Sequence, residues 1–154
     1  MQAPAATDIR LSSIAEMREH GGELFRQHWD EIALNRGLMV LDPDWRRYEL
    51  LEECGHLLCL AAWDGDVLAG YSVTIITAHP HYRHLVCANN DVLFVAKPYR
   101  LGRLGTQLIE ATANHVRERG ARLLLWHAKQ GTPLEALLCR LGYGVQDVIY
   151  AKEV

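Results

Sequence analysis

Residues 97–108, KPYRLGRLGTQL, join an apolar run to a long amphipathic stretch, with two glycines and two arginines inside the six residues Arg100 to Gly105. Upstream, Cys87–Ala96 (CANNDVLFVA) has the pattern of a strand, and Pro98 stops it. Downstream, Leu104, Leu108, Ala111 and His115 recur on one stripe with Ile109, Thr112 and Val116 beside it, which predicts a helix. Arg117 and Arg119 fall in its last turn and Gly120 just beyond, as the helix dipole and a left-handed cap prefer. A strand, a Gly/Arg turn and a helix form a geometry suited to anions. The first helical N–H groups lack partners and sit at the positive end of the dipole. Glycine lets a phosphate approach without a Cβ in the way, and Arg100 and Arg103 add forked donors. The same residues also suit a plain helix start with solvated arginines. No Gly-Lys-Ser/Thr follows, so the turn is not a P-loop, and the G-x-G-x-x-G spacing of a dinucleotide fingerprint is absent.

Working outward, Thr7–Ser13 reads as a short edge strand after six loose residues, Met1 to Ala6. Ser12–Gly37 has helical spacing at Ile14, Met17, Leu24, Phe25, Ile32 and Leu34. Ser12 or Ser13 is placed to cap it and Gly37 to end it, and Gly21-Gly22 should break or kink it. A second helix is expected to start at Asp42-Pro43 and run to Gly55. His56–Pro80 reads as two strands around the Asp64-Gly65-Asp66 turn. Ala121–Lys129 is a near-continuous apolar run that suits a central strand buried on both faces. Thr132-Pro133 opens a helix to Gly142, and Tyr143–Lys152 reads as a last strand. The expected fold class is α/β, one domain over residues 1–154, with a mixed sheet and helices on both faces.

The chain has 154 residues, 49% of them apolar, and a formal net charge of −3. One core of good size is therefore expected, and the scattered basic residues argue against nucleic acid as a partner. No apolar run approaches the length of a membrane span. Cys54, Cys59, Cys87 and Cys139 form no C-x-x-C pair, and no signal peptide is evident, so a cytoplasmic protein with reduced thiols is expected.

From Asn90 to Gly142 the sequence resembles the core of the GNAT (Gcn5-related N-acetyltransferase) family. The strand-to-helix stretch Asn90–Ala128 and the later Leu138–Gly144 (LCRLGYG) supply that family's elements in order: strand, Arg/Gln-x-x-Gly-x-Gly/Ala turn, helix, strand, short helix and Gly-aromatic step. The resemblance implies a mostly antiparallel sheet and transfer of acetyl from acetyl-CoA to a primary amine of a small molecule or a protein. It further implies that the amides of the turn, Arg100, Gly102, Arg103, Leu104, Gly105 and Thr106, bind pyrophosphate. The backbone of Leu93, Phe94 and Val95 would pair with the pantetheine arm and polarise the thioester. Two positions depart from the pattern: Arg103 stands at the motif's middle glycine, and Leu138 stands where many relatives have a tyrosine acid. An alternative expectation is a catalytically silent domain that binds acyl-CoA or a protein partner.

For the base, Asp91 begins the relevant strand, where relatives often carry an acidic residue. His79, His81 and His84 in AHPHYRH are further candidates, since an imidazole can act as a base toward an amine. Zinc is not expected there, because no further well-spaced ligand accompanies them. His127 reads as a hydrogen-bonded core residue, Tyr143 and Tyr150 as further candidate acids, and Trp29, Trp45 and Trp63 as packing. His28 and Trp29 occupy the region that faces the acceptor in relatives. An exposed strand edge near the C-terminus would suit a homodimer.

Overall fold

The protein's structure, a computed structural model, describes residues 7–154; the first six, expected to be loose, lie outside the described residues. Its elements are β1 (Asp8–Leu11), α1 (Ile14–His20), α2 (Gly22–Ile32), α3 (Trp45–Glu53), β2 (Leu57–Asp64), β3 (Val67–Ala78) and β4 (Val86–Val95). A 3-10 turn (Lys97–Tyr99) then leads to α4 (Leu104–Glu118), β5 (Leu123–Trp126) and α5 (Pro133–Arg140). The five strands lie in chain order in one sheet, antiparallel except for the parallel β4–β5 pair. This is the expected α/β fold with a mostly antiparallel mixed sheet.

Local chemistry sets most of the boundaries. The Ser13 hydroxyl accepts from the Glu16 N–H to cap α1, and Thr132 does the same for Glu135 at α5. The expected break at Gly21 is real. A Cβ there would stand 2.3 Å from Phe25 Cζ and 2.5 Å from the Met17 carbonyl oxygen, so only glycine lets the two helices meet so tightly. Two expected boundaries move. Helix α2 ends at Ile32, not Gly37, and α3 is capped by Asp44, not Asp42. Either aspartate offers the same capping chemistry; starting at Trp45 turns Trp45, Tyr48 and Leu51 onto the sheet.

The sheet carries apolar side chains on both faces. One face packs Ile14, Met17 and Leu24 of α1 and α2 against Cys59, Ala61, Tyr71, Val73 and Phe94. The other packs Leu104, Leu108 and Val116 of α4 against Leu58, Leu60, Ala69 and Ala88. Covered on both sides, β2 is buried along nearly its whole length.

The central position expected for Ala121–Lys129 is not found. Only Leu123–Trp126 forms a strand, it is the sheet's edge, and all four residues are half-buried. The expected last strand is the reason: Tyr143–Lys152 forms neither helix nor strand, so nothing pairs with the outer side of β5. Val145, Val148, Ile149 and Tyr150 stay exposed. His127 accordingly lies beyond the strand and is exposed, not a core residue. All four cysteines are free thiols, Cys59 and Cys87 buried and Cys54 and Cys139 exposed. Among the described residues no helix is long and apolar enough to cross a membrane.

Candidate active site

The β4–β5 ladder runs from Cys87–Leu123 to Asn90–Trp126 and stops, whereas β3 stays paired with β4 as far as Val95. Along Asp91–Val95 the side of β4 turned away from β3 therefore carries no strand. A register shift falls at the same place: Val73 pairs with Val92 and Thr74 with Asn90, leaving Asp91 as the extra residue of a bulge. Bulges re-aim side chains, and this one carries an exposed carboxylate to the mouth of the notch. The Tyr48 hydroxyl, from α3, donates to Asp91 Oδ2 at 2.5 Å. Burial first, then this bond and the carboxylate's charge, raise the Tyr48 phenol well above its ordinary range, so it keeps its proton.

A chain of buried groups fixes the branch point. Asn90 Nδ2 donates to Ser72 Oγ, the Val73 carbonyl and Thr74 Oγ1, each at 3.1 Å. Thr112 of α4 donates its hydroxyl proton to the Leu108 carbonyl at 2.8 Å, so Ser72 is the donor in the 2.9 Å Ser72–Thr112 bond. The chain runs Asn90 to Ser72 to Thr112 to Leu108, crossing from the last β4 residue paired with β5, through β3, into the helix.

Past the notch, the 3-10 turn delivers the chain to α4. Arg103 is its N-cap residue and no side chain caps the helix start. Gly102 has open space where a Cβ would stand, and a Cβ on Gly105 would meet only Leu137 Cδ2 at an ordinary 3.5 Å. Neither glycine has a positive φ. The backbone does not demand glycine at either place; a close-approaching ligand would.

The residues proposed from sequence divide as follows. Asp91, Leu93, Phe94 and Val95 line the notch, with Leu93 and Val95 on the α4 side and Phe94 on the α2 side. Gly102, Arg103, Leu104, Gly105 and Thr106 form the start of α4. Arg100 is held on the α2 side: its Nε donates to the Val95 carbonyl at 2.7 Å, its guanidinium pairs with Glu31 at 2.9 Å, and it lies over the Phe94 ring. His79 and His81 lie beyond Ala78–Val86, at the opposite end of the β3–β4 pair. Five residues of strand, roughly 16 Å, separate that end from Asp91. His81 N–H donates to His79 Nδ1 at 3.1 Å within the connecting turn. The structure thus does not bring these histidines to Asp91. Leu138 is buried in α5, Tyr143 packs edge-on against Trp126, and Tyr150 is exposed.

Two tyrosines that the sequence did not single out belong to the site. Besides Tyr48, Tyr71 on β3 bonds through its hydroxyl to His28 Nδ1 at 2.6 Å, and the His28 ring stacks on Phe94. Burial lowers the imidazole to about 4, with Lys129 and Arg100 pushing the same way and Glu31 opposing, so His28 is neutral near pH 7. The only hint available for Tyr71 was that a tyrosine on an apolar strand needs a polar partner. Nothing local connected Tyr48 with Asp91.

The sequence matches the Acetyltransferase (GNAT) family over residues 16–143, most of its length. The chain belongs to the GNAT acetyltransferase family. Among curated proteins nothing matches. Solved GNAT-fold structures do, at identities that speak for the fold alone. Ribosomal-protein-alanine N-acetyltransferase from Brucella melitensis biovar Abortus 2308 is 20% identical with a TM-score of 0.74, over 97% of this chain and 100% of that one. Glucosamine-6-phosphate N-acetyltransferase from Arabidopsis thaliana is 16% identical with a TM-score of 0.75, over 97% and 99%. AAC(6')-Iy, solved with the bisubstrate analogue CoA-S-monomethyl-acetylneamine, is 18% identical with a TM-score of 0.68, over 97% and 99%.

Proposed function

We propose that the protein transfers the acetyl group of acetyl-CoA to a primary amine by direct attack. The observation that carries this reading is the side of β4 left without a described strand at residues 91–95, joined by one 3-10 turn to the uncapped start of α4, with the exposed Asp91 carboxylate where the β4–β5 ladder ends. The pantetheine amides would bond to the backbone of Leu93 to Val95 that faces away from β3, apart from the Val95 carbonyl, which Arg100 already holds, and the pyrophosphate would take the N–H groups at Arg103 to Thr106. Open space at Gly102 and the absence of any backbone need for glycine there support a ligand at that turn.

In the reaction the amine nitrogen attacks the thioester carbonyl carbon, the carbon–sulfur bond breaks, and an amide and a free thiol result. A β4 N–H aimed at the carbonyl oxygen stabilises the charge that develops there. Asp91, oriented by Tyr48, draws in the ammonium, which gives up one proton to solvent before its lone pair attacks; the carboxylate then accepts the second proton, which attack makes acidic. With Leu138 in place of a tyrosine acid, the departing thiolate takes its proton from water; a thiol of ordinary pKa, about 8.5, is protonated at neutral pH. Tyr48, whose proton is committed to Asp91, is a positioning residue.

Titration calorimetry with acetyl-CoA, paired with a thiol-release assay over an amine panel, tests the reading. Dissociation constants of roughly 1–100 μM together with amine-dependent thiol release are expected. Absence of acetyl-CoA binding would sink the proposal. Binding without turnover of any amine would favour a silent acyl-CoA-binding domain.

A further inference from the structure

Between α2, the 33–44 loop, the start of α3 and the sheet lies a cavity of about 360 Å³, at the small end of ligand pockets. Its wall is made by rings and long apolar chains, among them Phe25, Trp29, Trp45, Tyr71 and Met39. Val92, the residue after Asp91, forms part of its floor, and Tyr48, whose hydroxyl holds Asp91, forms part of its side. Asp91 itself is not in the wall, but the wall carries both its chain neighbour Val92 and its bonding partner Tyr48, so the carboxylate stands one residue and one hydrogen bond from the cavity.

Its polar groups are few and mostly engaged. The His28 ring is stacked on Phe94 and bonded to Tyr71. Trp29 Nε1 donates to the Met39 carbonyl at 2.6 Å, which ties the loop to α2. Lys129 donates to the Ile32 carbonyl at the C-terminal end of α2, where the helix dipole favours a cation. Among the described residues Asp42 is the one carboxylate in the lining, and Asp91 lies outside the wall. A ligand with several ammonium or hydroxyl groups would leave most of them desolvated and without partners against this wall, which disfavours its binding. A cation already in the lining further disfavours a polycation. One ammonium directed at Asp91 and an apolar body against the rings leave no polar group of the ligand unpaired.

The geometry points to an acceptor that is a monoamine carrying an aromatic or branched apolar body, held in this cavity with its nitrogen at Asp91. The inference rests on the acetyltransferase reading and adds the class of amine.

The test compares thiol release at saturating acetyl-CoA for 2-phenylethylamine, tryptamine and isoamylamine with that for glucosamine, kanamycin and a short alanine-headed peptide. Specificity constants for the first three at least ~100-fold above those for the sugars and peptide are expected. Met39→Lys and Val40→Lys, at loop positions that line the cavity yet are 53% and 70% exposed, put a cation at the rim without disturbing the core. Each should raise the KM for phenylethylamine roughly tenfold while leaving the KM for acetyl-CoA and the melting temperature unchanged. Tryptophan fluorescence gives a second readout, since Trp29 and Trp45 line the cavity: phenylethylamine should perturb it without acetyl-CoA present. Preference for glucosamine, kanamycin or the peptide, with acetyl-CoA bound normally, would overturn the amine class and leave the acetyltransferase reading standing. Failure to bind acetyl-CoA at all would remove both.

Discussion

Asp91 is an exposed carboxylate whose position is set by two distant features, the bulge opposite Val73 and the Tyr48 hydroxyl 43 residues away. Replacing it with asparagine keeps the shape and the bond from Tyr48 but removes the charge and the proton acceptor. Asp91→Asn is expected to lower kcat/KM at least ~100-fold with acetyl-CoA affinity unchanged, by steady-state kinetics and calorimetry. Tyr48→Phe loses one bond to a charged group, so a smaller fall of about tenfold is expected. His28 gives a prediction about stability. Its folded pKa of about 4 lies below the ordinary value of 6.5. Between those values the unfolded chain binds a proton that the folded chain does not. Stability from this residue is therefore complete above pH 6.5 and declines as pH falls toward 4, by up to roughly 3 kcal/mol. In urea unfolding at pH 7.5 and pH 4.5, His28→Gln should shrink the wild-type difference between the two conditions. An unchanged difference would mean the buried imidazole is not the group responsible.

The element that concentrates the proposed chemistry is the start of α4. Arg103 occupies the N-cap position with φ −95° and ψ 5°, not the extended backbone from which a capping side chain reaches the next turn. An aspartate there would gain little from capping, but its charge would suit the positive end of the helix dipole by about 0.5 kcal/mol. The same charge would repel phosphates. Arg103→Asp is thus expected to hold or slightly raise the melting temperature while weakening acetyl-CoA binding at least ~10-fold. A loss of both stability and affinity would mean that Arg103 matters to the fold instead. Arg100, the other arginine of the turn, is already committed to Val95 and Glu31, so it contributes chiefly by tying α2 to the end of β4.

Across the whole molecule, the notch exists because one sheet is held from both sides. Helices α1 to α3 press on the face that carries Tyr71, Val73 and Phe94, and α4 presses on the other. The chain Asn90–Ser72–Thr112–Leu108 pins the point where β4 and β5 part to the helix that starts at the proposed phosphate site. Ser72 is the central link, both accepting and donating while 1% exposed. Ser72→Ala would cut the chain: Asn90 keeps the Val73 carbonyl and Thr74 Oγ1, but the Thr112 hydroxyl loses its buried donor, a loss of about 1 kcal/mol by denaturant unfolding. Faster hydrogen exchange at Asn90 to Val92 should accompany it, and a loss of stability without that local change would argue against the pinning role.

What the sequence determined by itself was local: the capping of α1 by Ser12 or Ser13, of which the structure uses Ser13, and of α5 by Thr132, the break at Gly21-Gly22, the amphipathic α4 and its left-handed Gly120 end, and the strand-turn-helix that resembles the GNAT core. These depend on residues within a few positions of one another, where spacing and side-chain chemistry suffice. The tertiary structure decided what depends on distant partners. It set β5 at the sheet edge because residues 143–152 did not pair with it, and it moved α3 to start after Asp44 because that register buries its aromatic face. It likewise joined Tyr48 to Asp91, turned Arg100 to Glu31, and closed the aromatic cavity between α2 and α3. An apolar run is equally consistent with a central strand and an edge strand, and a tyrosine on a helix carries no mark of the carboxylate it will meet. Only the packing of elements far apart in the chain chooses between such alternatives.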